Sequence, residues 1–290
     1  MTAPTPEAPT ATLLVSCPDQ RGIVAALAQL LYGHGANILD ADQHTDAEAR
    51  VFFQRIRFDT AELRTDRVAL EAAIAEVAER LRMRWRLSWS ERRKRVALFV
   101  SRTDHCLYDL LLRHRSGELA CEVPLIVSNH ENLARVAEQF GIPYRVFPVS
   151  KETKREQEER EIALLEDERI DLVVLARYMQ ILSPEFIERF EHRIINIHHS
   201  FLPAFSGGRP YQQAHERGVK LIGATAHYAT KDLDEGPIIE QDVIRASHRD
   251  SPAELVRKGA DVERNVLSRA VRWHLEDRVL VYGNKTVVFS

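Results

Sequence analysis

The spacing of apolar residues in the first third of the chain predicts a small domain of mixed strands and helices. Predicted strands cover residues 12–17, 37–45, 50–58 and 84–88, and predicted helices cover residues 23–34 and 66–82. In the first helix, apolar Ile23, Leu27 and Leu31 recur at helical spacing and therefore share one face. The resulting order, βαββαβ, is typical of a ferredoxin-like fold.

A different pattern follows the charged run ERRKR at residues 91–95. Continuous apolar strands are predicted at 96–101, 122–128, 171–176 and 193–197, and helices at 106–114, 131–140 and 151–169. Apolar strands that alternate with helices indicate a parallel sheet covered on both faces. The predicted fold class is therefore α/β, with a ferredoxin-like domain followed by a doubly wound, mostly parallel sheet.

Two further strands are predicted at 222–228 and 237–244, and they are more polar than the strands before them. Ser251-Pro252-Ala253-Glu254 predicts a helix start, because serine and glutamate form a capping box and proline suits the first helical position. Gly283-Asn284 predicts a hairpin turn. The domain prediction is a disordered tail at 1–11, a first domain at 12–90, a linker at 91–95 and a second domain at 96–290.

Composition narrows the class of function. The 290 residues carry 40 lysines and arginines against 43 aspartates and glutamates, a net charge of −3, which argues against a nucleic-acid or membrane-surface partner. The sequence has no apolar stretch of membrane-spanning length and no secretory signal pattern, so we expect a cytoplasmic protein. Cys17, Cys106 and Cys121 lack metal-binding or disulfide spacing and are expected to be buried, reduced thiols.

Candidate chemistry lies near two predicted strand ends, where doubly wound sheets bind ligands. Asn196 and His198 are two residues apart, so an extended chain points both to one face and His199 to the other. Such an amide and imidazole can hold an oxyanion, and Asp234 from another loop can orient or deprotonate water. We expect partial burial to raise the pKa of Asp234.

The residue types alone are also compatible with purely structural roles for these side chains. A histidine at a strand end is often only a structural hydrogen-bonding group. The turn DLDEGP at residues 232–237 is often only a turn. A metal site is not expected, because His198 and His199 have no third ligand at a characteristic spacing.

Two longer motifs closely resemble the formyltransferase family that uses 10-formyltetrahydrofolate. The motifs are NIHHSFLPAFSGGRPY and GATAHYATKDLDEGPIIEQ, which hold the family's N-x-H and D-x-G-P patterns in order. The resemblance implies that Asn196, His198 and Asp234 are catalytic. It also implies a folate pocket formed by Met179, Gln180, Ile181, Leu182 and His227.

The first third of the chain resembles an ACT domain, in its βαββαβ order and in the residues DQRGIV at 19–24. ACT domains commonly bind amino acids and pair with one another. The resemblance therefore implies an amino-acid effector near Asp19 and Gly22, and a homo-oligomer. The alternative, that Asp19 and Gly22 simply begin a helix, stays open.

An ACT domain ahead of a formyltransferase domain is the layout of those family members that hydrolyse 10-formyltetrahydrofolate. The resemblance implies formate and tetrahydrofolate as products, a place in one-carbon and purine metabolism, and no cofactor besides the folate substrate. Two alternatives are formyl transfer to glycinamide ribonucleotide and a non-catalytic sensor of amino acids or folate. The loop Arg102–Cys106 has no glycine to build a phosphate cradle from backbone amides, which favours water as the acceptor.

Overall fold

The computed structural model describes residues 8–203 and 210–290. The chain forms two compact units. The first comprises the chain up to Arg93 together with Asp277–Leu280 and Val287–Ser290, and the second comprises Lys94–Glu276 together with Val281–Thr286.

The first unit contains one antiparallel sheet and two helices, with the predicted βαββαβ order. Its elements are β1 (Thr10–Pro18), α1 (Ile23–Gly33), β2 (Asn37–Asp46), β3 (Val51–Asp59), α2 (Arg67–Leu81) and β4 (Arg84–Trp89). The strand order is β2-β3-β1-β4. Leu27 and Leu31 of α1 and Ile74 of α2 pack with Leu13 and Ile56 of the sheet in one buried core, which confirms the predicted ferredoxin-like domain.

The second unit holds a seven-stranded sheet with helices between its strands. Its elements are β5 (Lys94–Val100), α3 (His105–Ser116), β6 (Cys121–Ser128), α4 (Ala134–Phe140), β7 (Tyr144–Val146), α5 (Lys154–Asp167), β8 (Leu172–Leu175), α6 (Pro184–Arg189), β9 (Ile194–His198), α7 (Pro210–Arg217), β10 (Leu221–Tyr228), β11 (Ile238–Arg245) and α8 (Pro252–Leu275).

The order of this sheet is β11-β10-β9-β8-β5-β6-β7. Strands β5 to β9 run parallel, and β10 and β11 extend the edge in antiparallel fashion. The α/β class with a mostly parallel sheet is therefore confirmed. A final hairpin of β12 (Val279–Tyr282) and β13 (Lys285–Val288) turns at the predicted Gly283-Asn284.

Helix α8 begins as its sequence predicts. The Ser251 side chain accepts a hydrogen bond from the Glu254 backbone, and the Glu254 side chain accepts one from the Ser251 backbone. Such a box satisfies two amide groups that the first helical turn leaves without partners. The buried face of α8 includes Gly259 and the carboxylate residue Glu263.

The predicted domain limits differ from the structure at several points. Residues 10 and 11 of the predicted tail belong to β1, and residues 1–7 lie outside the described residues. Strand β5 begins at Lys94, inside the predicted linker. Residues 277–280 and 287–290 group with the first unit rather than the second.

The C-terminal segment joins the first unit through one buried and one exposed arginine. The Nε of Arg55, whose side chain is 3% exposed, donates to the backbone carbonyl of Asp277 at 3.0 Å. Arg86 pairs with the carboxylate of Asp277 at 3.1 Å. The residues in these contacts are far apart in the sequence, so the apolar pattern of the C-terminal strands could not predict that they join the first unit.

Two helices were not predicted, α6 and α7. Helix α6 has six residues, too few for a periodic signal, although Ser183 caps it and Pro184 occupies its first turn. None of the helices in the described part of the chain is long and apolar enough to cross a membrane. All three cysteines are buried and form no disulfide, as predicted.

Candidate active site

A cavity of about 410 Å³ lies where β8 and β9 end, at the predicted edge of the sheet. It brings together every predicted catalytic and folate-binding residue. The cavity is lined by Asn196, His198, Asp234, His227, Met179, Gln180, Ile181 and Leu182, and also by Arg177, Tyr178, His199 and Lys231 among others. The predicted Asp19 and Gly22 belong to the first unit, whereas the residues that line the cavity belong to the second.

Asn196 and His227 face each other across neighbouring strands. They are paired in the antiparallel register of β9 and β10. The Asn196 Nδ2 lies 3.2 Å from Nε2 of His227, and the His227 Nδ1 lies 3.0 Å from the backbone carbonyl of Tyr228. Since that carbonyl can only accept, Nδ1 of His227 carries the proton and Nε2 accepts from Asn196. One of the two amide hydrogens of Asn196 remains for substrate.

The turn DLDEGP brings Asp234 to these histidines. Asp234 has a left-handed backbone (φ 58°), and a Cβ at Gly236 would lie 1.8 Å from the carbonyl oxygen of Tyr228. Glycine is therefore required where this turn crosses β10. One oxygen of Asp234 lies 3.1 Å from Nδ1 of His198, and the other lies 3.7 Å from Nε2 of His227.

Hydrogen bonding makes Asp234 more acidic. The hydrogen bond from His198 holds the pKa of Asp234 well below its usual range, against the opposing effect of burial, and His227 contributes in the same direction. The expectation that burial would raise this pKa is therefore wrong, because the bond from His198 stabilises the charged form. Asp234 is a permanent anion at neutral pH.

A buried chain of polar groups fixes the other side of His198. The Ser200 Oγ lies 2.8 Å from Nε2 of His198, and the Ser200 carbonyl accepts from Oγ1 of Thr225. Gln241 in turn donates to Oγ1 of Thr225 at 2.9 Å. Sequence reasoning missed these residues, since serine, threonine and glutamine carry no specific signal until the fold brings them together.

His199 also lines the cavity, so the prediction that it points away is wrong. Strand β9 ends at His198, and the alternation of an extended strand does not continue beyond it. The rings of His198 and His199 stack with centroids 5.0 Å apart. Burial, with a contribution from the charge of Arg177, lowers the pKa of His199 to about 4, so this ring is neutral at neutral pH.

The predicted folate-binding loop presents apolar side chains to solvent at the cavity. Met179 is 59% exposed and Ile181 is 60% exposed. Exposed apolar groups around a cavity are typical of a site for a flat, largely apolar ligand. The role of these residues in binding folate stays a prediction.

Buried polar groups fasten that loop from below. The Ser101 Oγ accepts from the backbone amide of Met179 at 2.9 Å. A carboxylate oxygen of Glu158 accepts from the amide of Ser183 at 3.1 Å. The Tyr178 hydroxyl donates to Glu161 at 3.3 Å. The loop is therefore held near both of its ends by two carboxyl groups of α5.

Glu161 makes folding stability depend on pH. Burial raises the pKa of this fully buried carboxyl from 4.5 to about 8. The native chain therefore keeps a proton that the unfolded chain releases, and stability falls as pH rises between those values. We expect Glu161→Gln, which does not titrate, to stabilise the protein by on the order of 3 kcal/mol near pH 8.

Urea denaturation at about pH 5 and about pH 8 measures this difference. The variant should match the natural protein at the lower pH and exceed it at the higher one. Glu159→Gln, at an exposed position of the same helix, is the matched control and should give no pH-dependent gain. An equal effect of Glu161→Gln at both pH values would contradict the assignment.

Within the described ranges, His105, Cys106 and Glu263 offer three donor atoms within 4.8 Å of one another. Both oxygens of Glu263 already accept hydrogen bonds, from His105 and from Tyr211. The Arg177 guanidinium lies 3.4 Å from the same carboxylate. A metal cation would meet this positive charge at close range, so the group fits an ion-pair cluster better than a metal site.

Comparison with known proteins agrees with this site. The Formyl transferase family model matches residues 94–271, and the ACT domain model matches residues 11–76. The chain is 58% identical over 281 residues to the formyltetrahydrofolate deformylase of Synechocystis sp., covering 97% of this chain and 99% of that protein. The chain belongs to the formyltetrahydrofolate deformylase family.

Other deformylases resemble it along nearly their whole length. The Bacillus subtilis formyltetrahydrofolate deformylase is 52% identical, covering 96% of this chain and 93% of that protein. The crystal structure of a formyltetrahydrofolate deformylase from Pseudomonas syringae pv. tomato superposes with a TM-score of 0.96 at 48% identity, covering 98% of this chain and 96% of that one. The similarity to these deformylases therefore spans both units of the chain.

Proposed function

We propose that this protein hydrolyses 10-formyltetrahydrofolate to formate and tetrahydrofolate. The observation that carries the proposal is the convergence of Asn196, His198 and Asp234 in one cavity whose rim is the loop at 178–183. Membership in the deformylase family supports the same reaction. The products would feed one-carbon and purine metabolism, and the chemistry uses no cofactor besides the folate.

The reaction begins when the oxygen of a water molecule attacks the formyl carbon. Asp234 is ionised, so it accepts a hydrogen bond from that water and fixes its orientation. As the new C–O bond forms, the carbonyl oxygen gains negative charge. The amide hydrogen of Asn196 that is not bonded to His227 stabilises this oxyanion.

The proton lost by the attacking water moves to the pair formed by Asp234 and His198. Asp234 is a weak base because its pKa is depressed, and the imidazole 3.1 Å away shares the developing positive charge. Ser200 keeps that ring in place. Collapse of the intermediate breaks the bond between the formyl carbon and N10 of the folate. N10 then takes the proton, which releases tetrahydrofolate and formate.

Water as the acceptor is favoured over a phosphorylated amine such as glycinamide ribonucleotide. The loop after β5 runs from Arg102 directly into α3 at His105 without a glycine. Its basic side chain is engaged, since the Arg102 Nε lies 3.1 Å from Nε2 of His130. A cradle of converging backbone amides, as phosphate sites use, has no counterpart in the sequence of this loop.

Product analysis tests the proposed function. Enzyme and 10-formyltetrahydrofolate are mixed with and without glycinamide ribonucleotide, and the products are followed by mass spectrometry. We expect formate at the same rate in both mixtures. Formylated ribonucleotide as the main product would replace hydrolysis with transfer, and binding without any turnover would support a sensor.

For the first unit we propose regulation and assembly, in a cytoplasmic homo-oligomer. The match to the ACT domain model supports an amino-acid effector. Gly22 begins α1 with a left-handed backbone (φ 90°), so its helix-start role accounts for the glycine. Asp19 is exposed beside it and remains the candidate contact for an effector. Calorimetric titration of the full chain with each amino acid tests this role.

A further inference from the structure

One wall of the catalytic cavity is built by residues for which the hydrolysis mechanism has no use. Arg177 and His199 line the cavity. Behind them, the Glu263 carboxylate accepts from the Tyr211 hydroxyl at 2.7 Å and from Nε2 of His105 at 2.8 Å. We call Arg177, His199, Tyr211, His105 and Glu263 the polar wall. The wall joins the segments that directly follow β8 and β9 to helices α3, α7 and α8.

A largely buried ion pair between Arg177 and Glu263 holds the wall together. The side chain of Glu263 is 2% exposed and that of Arg177 is 15% exposed, and their charged groups lie 3.4 Å apart. Burial favours the neutral acid, but the hydrogen bond from His105 and the charge of Arg177 outweigh it and keep the pKa of Glu263 below its usual value. Removing one partner of such a pair leaves the other charge exposed to an apolar interior.

Tyr211 of the polar wall is tightly packed against helix α8. A Cβ at Gly259 would lie 2.0 Å from the hydroxyl oxygen of Tyr211. The glycine in the middle of α8 therefore makes room for the tyrosine ring, one turn before Glu263 on the same helix. Helical glycine costs about 1 kcal/mol relative to alanine, and here the space it leaves is filled by a wall residue.

We propose that the polar wall determines the formyl acceptor, by closing the space beside the reacting carbon to any nucleophile larger than water. This inference rests on the proposed hydrolysis. The proposed function places the folate against the loop at 178–183 and the formyl carbon beside Asp234 and His198, which line the same cavity as Arg177 and His199. An amine that approached along the part of the cavity lined by Arg177 and His199 would have to displace one of these side chains, and displacing Arg177 would break its buried pair with Glu263.

If the wall were opened, a primary amine could take the place of water. Its nitrogen would attack the formyl carbon, the bond from that carbon to N10 would break, and the amine would lose one proton while N10 gained one. The products would be a formylated amine and tetrahydrofolate. This transfer needs no oxidant or further reactant.

The test measures the ratio of formylated amine to formate with glycinamide as the added amine. The full chain is compared with Arg177→Ala, which removes the side chain from the wall, and with Glu263→Gln, which keeps the shape but releases Arg177. We expect each variant to raise the ratio at least about tenfold, equivalent to about 1.4 kcal/mol. The matched control is Arg113→Ala, which removes an arginine of α3 that pairs with Asp109 and Glu118 and does not line the cavity.

The ratio does not depend on how much of a variant is folded, so a loss of stability cannot imitate the result. A ratio that stays at the value of the natural protein in both variants would overturn the proposal, while formate production by the natural protein would still support hydrolysis. Absence of formate from the natural protein would instead refute the proposed function. A rise in the Arg113→Ala control equal to that of the wall variants would also overturn the proposal.

Discussion

Replacing Asp234 by asparagine is expected to lower kcat/KM by at least about a thousandfold, close to 4 kcal/mol of transition-state stabilisation. The asparagine oxygen can still accept a hydrogen bond from Nδ1 of His198. The variant therefore keeps the hydrogen-bond geometry around the turn and loses the negative charge. Because the proposed proton transfer needs that charge, binding of folate should persist while turnover stops.

Single-turnover formate release, beside a titration with an unreactive folate, separates these two effects. The matched control is Asp232→Asn, an exposed aspartate of the same turn, which should retain nearly full activity. If Asp234→Asn retained activity within about tenfold, or 1.4 kcal/mol, of the natural protein, the assigned role would be wrong.

The second large effect is expected for Asn196→Ala. Removing one oxyanion donor typically costs 10²–10³ in kcat, about 3–4 kcal/mol, and the substitution also deprives Nε2 of His227 of its donor. Because the donor acts on charge that develops during the reaction, we expect kcat to fall while KM changes by less than about threefold.

Steady-state kinetics of the natural protein and of Asn196→Ala measures the changes in kcat and KM. Circular dichroism of both proteins checks that the variant is folded. Asn132→Ala is a suitable control, because Asn132 is exposed and its side chain donates to the carbonyl of Arg102, outside the cavity. An increase in KM with unchanged kcat would place Asn196 in ground-state binding of the folate rather than in oxyanion stabilisation.

The architecture was predictable because its signals are local. The capping box at Ser251, the apolar strand near 172–175 and the turn at Gly283 depend on neighbouring residues, and each lies where its pattern indicates. Asn196, His198 and Asp234 could be named because their two motifs are specific, and the antiparallel pairing of β9 with β10 helps to bring them into one cavity.

What could not be predicted depends on contacts between distant segments. The acidity of Asp234 reflects two histidines that lie 36 and 7 positions earlier in the chain, and burial alone suggested the opposite direction. The orientation of His199 depends on where β9 stops. Glu161 gave no signal, since an amphipathic helix with many glutamates does not reveal which of them is buried.

The grouping of residues 277–280 and 287–290 with the first unit has a consequence for the order of folding during synthesis. A ribosome releases the N-terminal segment first, and a self-contained domain there can fold before the rest is made. This unit is not continuous, since the carbonyl that accepts from Arg55 belongs to Asp277, 222 positions later. Its last contacts therefore form only after the segment that holds the catalytic residues has been synthesised.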